Sequence, residues 1–129
     1  MPTPIRVTKI HHACLTVDDG STRLLLDPGR LGPRPGLDGV DAVLVTHRHF
    51  DHLDPELVEE ALGRGVPVWM PGDAFGDLGD PGGLAGGDNL HEAVAGATLR
   101  IGALTVRVSG GRHAEVHPTI PGPENRAYL

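Results

Sequence analysis

Ala42-Val43-Leu44-Val45-Thr46-His47-Arg48-His49-Phe50-Asp51-His52 is the stretch on which the reading of this chain turns. Residues 42–46 are almost wholly apolar, the pattern of a short strand buried on both faces. Three imidazoles and a carboxylate follow at once, a dense donor set for zinc or a similar ion. In a turn leaving a strand end, His47 and His49 can point the same way and grip one ion. Asp51 and His52 lie further round the turn and can reach a second. Strand C-termini are also where open α/β sheets place their sites. A lone histidine reads as a surface or hydrogen-bonded core residue. Four ionisable groups packed at this spacing are costly unless something holds them together.

Downstream, Asp54-Pro55-Glu56 opens a helix. Asp54 caps it, Pro55 takes the first helical position and Glu56 favours the positive dipole end. Leu57, Val58, Ala61 and Leu62 give the helix an apolar face, and Gly63 and Gly65 are candidate C-terminal stops. The apolar run 66–70 then reads as another strand, so strand, helix and strand predict a parallel βαβ unit. Upstream, 5–10, 13–17 and 22–26 read as strands. The Asp18-Asp19-Gly20-Ser21 turn makes a hairpin of the last two. A short helix is expected at 73–78 and a glycine-rich loop at 79–87. Strands return at 98–101 and 104–108 around a Gly102-Ala103 turn. Gly110-Gly111-Arg112-His113 reads as a loop, and the tail becomes extended from Arg126.

The 129 residues fit one domain. Nineteen glycines and twelve prolines favour many turns over long helices. A net charge of −6 argues against nucleic acid as a partner, because phosphate binding needs a basic face. A small anionic substrate stays open, since a metal supplies local positive charge. The single cysteine, Cys14, reads as core and permits no internal disulfide, which fits a reducing, cytoplasmic setting. The start carries no apolar leader, and no apolar run has the length to span a bilayer.

His-x-His-x-Asp-His after an apolar strand resembles the signature of the metallo-β-lactamase superfamily. Leu24-Leu25-Leu26-Asp27-Pro28-Gly29 is similar to that family's first motif, an apolar strand ending in aspartate. Ile10-His11-His12-Ala13-Cys14-Leu15 resembles the strand start of its L-ascorbate-6-phosphate lactonase-like branch. The segment 110–118 resembles that branch's third-histidine segment. The resemblance covers about Ile5 to Leu129. It implies an α/β fold, the N-terminal half of an αββα sandwich with a mixed sheet and few helices. It also implies that His47, His49 and His113 bind one metal and that Asp51 and His52 bind a second. Asp27 would steady the ligand loop by hydrogen bonding, as carboxylates behind metal-bound histidines do. His12 would face the pocket and contact substrate. His11, His91 and His117 receive no role.

The activity implied by the resemblance is hydrolysis. A hydroxide on zinc, or on manganese or iron, would attack an ester, lactone or phosphoester bond of a small molecule, with Asp51 orienting it. Arg30, Arg34 and Arg112 read first as solvated surface charges and second as contacts for an anionic group. The chain matches only the first half of such proteins, as though truncated, and holds no counterpart of the bridging aspartate and final histidine of the second half. One tight and one weak or absent metal is therefore expected. Half a sandwich also predicts an uncovered apolar sheet face. A homo-oligomer, or a separate chain carrying the second half, would cover it. The alternative function is a catalytically inactive metal-binding half-domain serving as a structural or interaction module.

Overall fold

The computed structural model describes residues 4–78, 88–115, 118–120 and 122–129. The loop expected at 79–87 and His117 lie outside these residues. The chain opens as an antiparallel meander of β1 (Arg6–His11), β2 (Cys14–Asp18) and β3 (Arg23–Leu26). The turn between β2 and β3 is built by its own side chains. Asp18 accepts from the Gly20 N–H at 2.7 Å, and Asp19 accepts from those of Ser21 and Thr22 at 2.9 and 2.7 Å. Gly20 takes the positive φ of 96° that the turn requires.

Three short strands then add in parallel: β4 (Ala42–Leu44), β5 (Val68–Met70) and β6 (Leu90–Glu92). They complete a six-stranded mixed sheet in the order β1-β2-β3-β4-β5-β6. The connection from β4 to β5 is the predicted helix α1 (Pro55–Gly63), with Asp54 accepting from the Glu56 N–H at 3.1 Å. Gly63 remains helical, and the positive φ of 79° falls instead on Gly65, just beyond the Arg64 cap. The expected short helix is a 3₁₀ helix at Gly72–Asp77.

Helix α1 buries Leu57, Val58, Ala61 and Leu62 against Leu25, Val43, Val45, Val68 and Met70. Each such aliphatic contributes roughly 1.5–3 kcal/mol on burial, which explains why so few aromatics suffice. On the other face lies a three-stranded antiparallel sheet of β7 (Thr98–Ile101), β8 (Leu104–Arg112) and β9 (Glu124–Tyr128). Its Ile101 and Val106 pack on Leu24, Ala42 and Leu44.

Two expectations need correction. The segment 110–112 is strand, not loop: Gly110, Gly111 and Arg112 pair with Arg126, Asn125 and Glu124 of β9. Glycine lowers strand propensity, but a long-range ladder partner outweighs it. Nor is the apolar sheet face left wholly bare among the described residues, although an apolar cleft of about 150 Å³ stays open between the sheets beside Ile5, Val17, Leu26, Leu104 and Leu129. The second sheet closes on the first and turns Arg100, Thr105 and Arg107 outward. Exposed large apolar side chains are scattered, with Ile5, Val7 and Ile10 along the β1 edge and Leu31, Phe50, Val94, Ile120 and Leu129 elsewhere. No helix among the described residues is long and apolar enough to cross a membrane.

Candidate metal centre

The segment 46–54 leaves the end of β4 and is held from two sides. Residues after β3 zip it on one side: the Asp27 N–H donates to Leu44 O at 3.0 Å, Arg30 to Phe50 O at 2.8 Å, and Asp54 back to Pro28 O at 2.9 Å. Gly29 sits so close that a Cβ there would lie 2.0 Å from the Asp51 carbonyl oxygen. On the other side β9 reaches across, with the Arg126 N–H donating to Thr46 O at 2.8 Å and the Tyr128 hydroxyl to Val45 O at 2.6 Å. Within the segment, the His52 and Leu53 N–H groups both donate to His49 O at 2.9 Å, closing the turn that aims the side chains.

Asp27 is the hub. It is 6% exposed and left-handed at φ 48°, a conformation aspartate tolerates better than most side chains. Its carboxylate accepts from the Thr46 N–H and hydroxyl, both at 2.7 Å, and from His52 Nδ1 at 2.8 Å. Because the Thr46 hydroxyl spends its proton on Asp27, its oxygen accepts from His47 Nδ1 at 2.9 Å. These bonds fix the tautomers: His47 and His52 each donate from Nδ1 and keep a lone pair on Nε2. His113 does the same, with Nδ1 against Ala114 O at 2.9 Å.

Two groups of donors result. His47, His49 and His113 place ligand atoms within 4.8 Å of one another, with ring centroids 4.7 to 4.8 Å apart. His47 is 4% exposed and its Nε2 is buried without a hydrogen-bond partner. Such an atom costs free energy unless something accepts its lone pair, and a metal ion does. Burial, with the nearby His52 adding to it, pushes the His47 pKa down to about 4 and keeps the ring neutral, the form that ligates. The second group is His12, Asp51 and His52, again within 4.8 Å. The Asp27 hydrogen bond raises the His52 pKa against the opposing effect of burial. Burial pushes Asp51 up, but the bond from His12 and the field of His52 bring its carboxyl below the ordinary range. The residues fit a bound metal: imidazole and carboxylate donors, tautomers fixed from behind, and one orphaned buried nitrogen.

Residues 6–129 match the family described as the beta-lactamase superfamily domain. This chain belongs to that superfamily. Protein Rv0786c of Mycobacterium tuberculosis is 35% identical over 130 residues, covering 97% of this chain and 57% of that protein. UPF0173 metal-dependent hydrolase MJ1163 of Methanocaldococcus jannaschii is 32% identical over 123 residues, covering 90% of this chain and 52% of that one. Among solved structures, Igni18, a metallo hydrolase of Ignicoccus hospitalis, shares the fold with a TM-score of 0.62 at 17% identity. It is matched over 97% of this chain and 55% of its own. The chain thus spans little more than half the length of these proteins.

Every site residue named from the superfamily resemblance within the described part gathers at this strand end: His12, Asp27, His47, His49, Asp51, His52 and His113. Three contributors were not legible from the sequence. Thr46 relays Asp27 to His47, while Arg126 and Tyr128 tie β9 to the ligand strand. The position of Thr46, directly before the first histidine, was the available signal for the first. A cleft of about 560 Å³ adjoins His49, lined by Arg48, Phe50, Asp73, Asp77 and Arg112 among others. Arg48 is held there by Asp77 through two bonds at 2.9 and 3.1 Å. Arg30 and Arg34 are engaged by Asp54, and Arg34 also by Glu56. Arg112 donates to Gly122 O and lines the cleft. Cys14 is fully buried, and burial with the Asp27 charge pushes its thiol up to about 11. His91 stacks on Trp69 away from the site, at 4.6 Å between centroids.

Proposed function

We propose that this chain carries the metal-binding part of a metal-dependent hydrolase acting on an ester, lactone or phosphoester bond of a small molecule. The observation that carries the reading is the orphaned Nε2 of buried His47, facing the two other imidazoles of its group. His47, His49 and His113 would hold the ion, with zinc the first choice for three imidazoles and manganese or iron(II) as alternatives. When bound, the ion supplies an activated water and polarises the bond under attack.

The rest is the work of the chain's own groups. Asp27 and Thr46 hold the His47 ring so that Nε2 faces inward. Asp51, ionised and 28% exposed in its side chain, would orient the attacking water and accept its proton. The cleft beside His49 gives a small molecule an approach, with Arg112 on its wall to meet an anionic group. The likeness to the lactonase-like branch makes a phosphorylated lactone one candidate substrate, at the level of analogy.

The alternative reading is a catalytically inactive metal-binding half-domain that serves as a structural or interaction module. Its partner would be a second copy or a chain carrying the remaining half. Elemental analysis of the purified protein, beside a His47→Ala, His49→Ala double variant, tests the shared core of both readings. Tightly held metal in the native chain, with the first ion lost in the variant, is the expected result. Protein that stays metal-free after reloading with zinc, manganese and iron(II) overturns it. Hydrolysis of model esters and lactones by the loaded chain then separates enzyme from half-domain.

A further inference from the structure

We propose that His12 is itself a metal ligand, joining Asp51 and His52 at a second cation site. The inference rests on the reading that His47, His49 and His113 hold a first ion. It replaces the substrate contact that the sequence suggests for His12.

The spacing carries the argument. His12 Nε2 and His52 Nε2 flank the same oxygen, Asp51 Oδ2, at 3.0 and 3.5 Å. Donors that share one ion at roughly 2.0–2.2 Å stand about 3–3.5 Å from each other. The His52 Nδ1 proton is committed to Asp27, so its Nε2 lone pair faces the group. Without an ion, His12 Nε2 donates its proton to Asp51. With an ion between them, that proton moves to Nδ1 of the same ring and both atoms offer lone pairs. Neutral imidazoles with one carboxylate suit zinc, manganese or iron(II). The side chains of His12, Asp51 and His52 are 42%, 28% and 20% exposed, which leaves a side open for water or substrate.

The backbone is a second, independent observation. His11 pairs with Cys14, so His12 and Ala13 form the two-residue link between β1 and β2. His12 stands there at φ 44°, in a turn position that favours glycine. Among the described residues, the other non-glycine with positive φ is Asp27, the hub of the site. Left-handed side chains persist where surroundings over-determine them, and they cluster at ligand clamps. The conformation swings the imidazole off the exposed β1 edge and onto Asp51, with its ring edge-on to His52 at 5.9 Å.

Cobalt(II) titration of the full chain, followed by visible absorption and by elemental analysis, tests this directly. Native protein should take up about two ions and His12→Asn about one. Asparagine accepts the left-handed backbone, so the metal-free variant should melt where the native protein does. His12→Cys should add a near-ultraviolet thiolate-to-cobalt charge-transfer band, which neither a structural nor a substrate-contacting residue would produce. Two ions in His12→Asn with no such band in His12→Cys overturn the inference and leave the first site standing. One ion in both native and His12→Asn overturns it as well. No ion in any of the proteins overturns both this inference and the reading on which it rests.

Discussion

The two donor groups share one strand end and one carboxylate behind them, yet they are built on opposite electrostatics. The His47, His49 and His113 group is all imidazole, and burial holds His47 neutral. The His12, Asp51 and His52 group contains a carboxylate, stands more open to solvent, and has a histidine that Asp27 draws toward protonation. The centroids of His47 and His52 are only 4.0 Å apart, so the contrast is not one of distance. It comes from what lies behind each ring. The Asp27 charge reaches His47 through a neutral threonine hydroxyl but touches His52 directly. An all-imidazole group around a buried His47 favours a tightly kept ion. A wetter group with an ionised carboxylate favours an ion that exchanges ligands with solvent.

The heaviest blow to both groups at once is Asp27→Ala. It strands the Thr46 N–H and hydroxyl and the His52 Nδ1 proton in a buried setting. We expect a loss of about 4 kcal/mol in denaturant unfolding of the metal-free protein. Metal affinity should fall about 10- to 100-fold at both groups. Equal metal uptake before and after the change would remove Asp27 as their common support.

Gly29→Ala should split the groups. The added Cβ meets the Asp51 carbonyl carbon and oxygen at 2.1 and 2.0 Å, so the turn carrying Asp51 and His52 must shift. Overpacking of this kind costs about 3 kcal/mol. Cobalt uptake at the carboxylate-containing group should fall while uptake by the three imidazoles is largely kept. Loss of both in equal measure would mean that the segment 46–54 moves as one body.

The smallest effect is in pH dependence, and its sign differs between the groups. In the metal-free protein His47 titrates below its unfolded value, so the unfolded chain binds the extra proton first. Stability attributable to His47 is therefore present above pH 6.5 and is lost as pH falls toward about 4. His52, with its raised pKa, contributes stability present below 6.5 and lost as pH rises through its folded value. In urea midpoints measured between pH 7 and pH 4, His47→Gln should flatten the acid loss and His52→Gln should steepen it. Parallel curves for the two variants would erase the electrostatic contrast.

How much of this was legible tracks the range of the interactions. The Asp18–Ser21 turn, the Asp54 cap and the apolar face of α1 depend on neighbours within a few positions, and each stands where its residues indicate. The strand character of Gly110–Arg112 was hidden because its cause, pairing with Glu124–Arg126, lies across a loop in a sequence rich in glycine and proline. Closure of the three-stranded sheet over β3 and β4 was hidden for the same reason: alternating residues announce an apolar face but not what that face meets.

The sequence alone determined the dense ligand cluster after a buried strand, the helix just beyond it, and the aspartate that ends β3. These are written in local spacing, where residue type and periodicity decide the outcome. The superfamily resemblance already implied that His113 joins the first two histidines, but only the tertiary structure decided that the Asp27 charge reaches His47 through Thr46 and that a left-handed His12 meets Asp51. Each joins segments far apart in the chain, and such meetings are fixed by sheet register and packing, which no local pattern encodes.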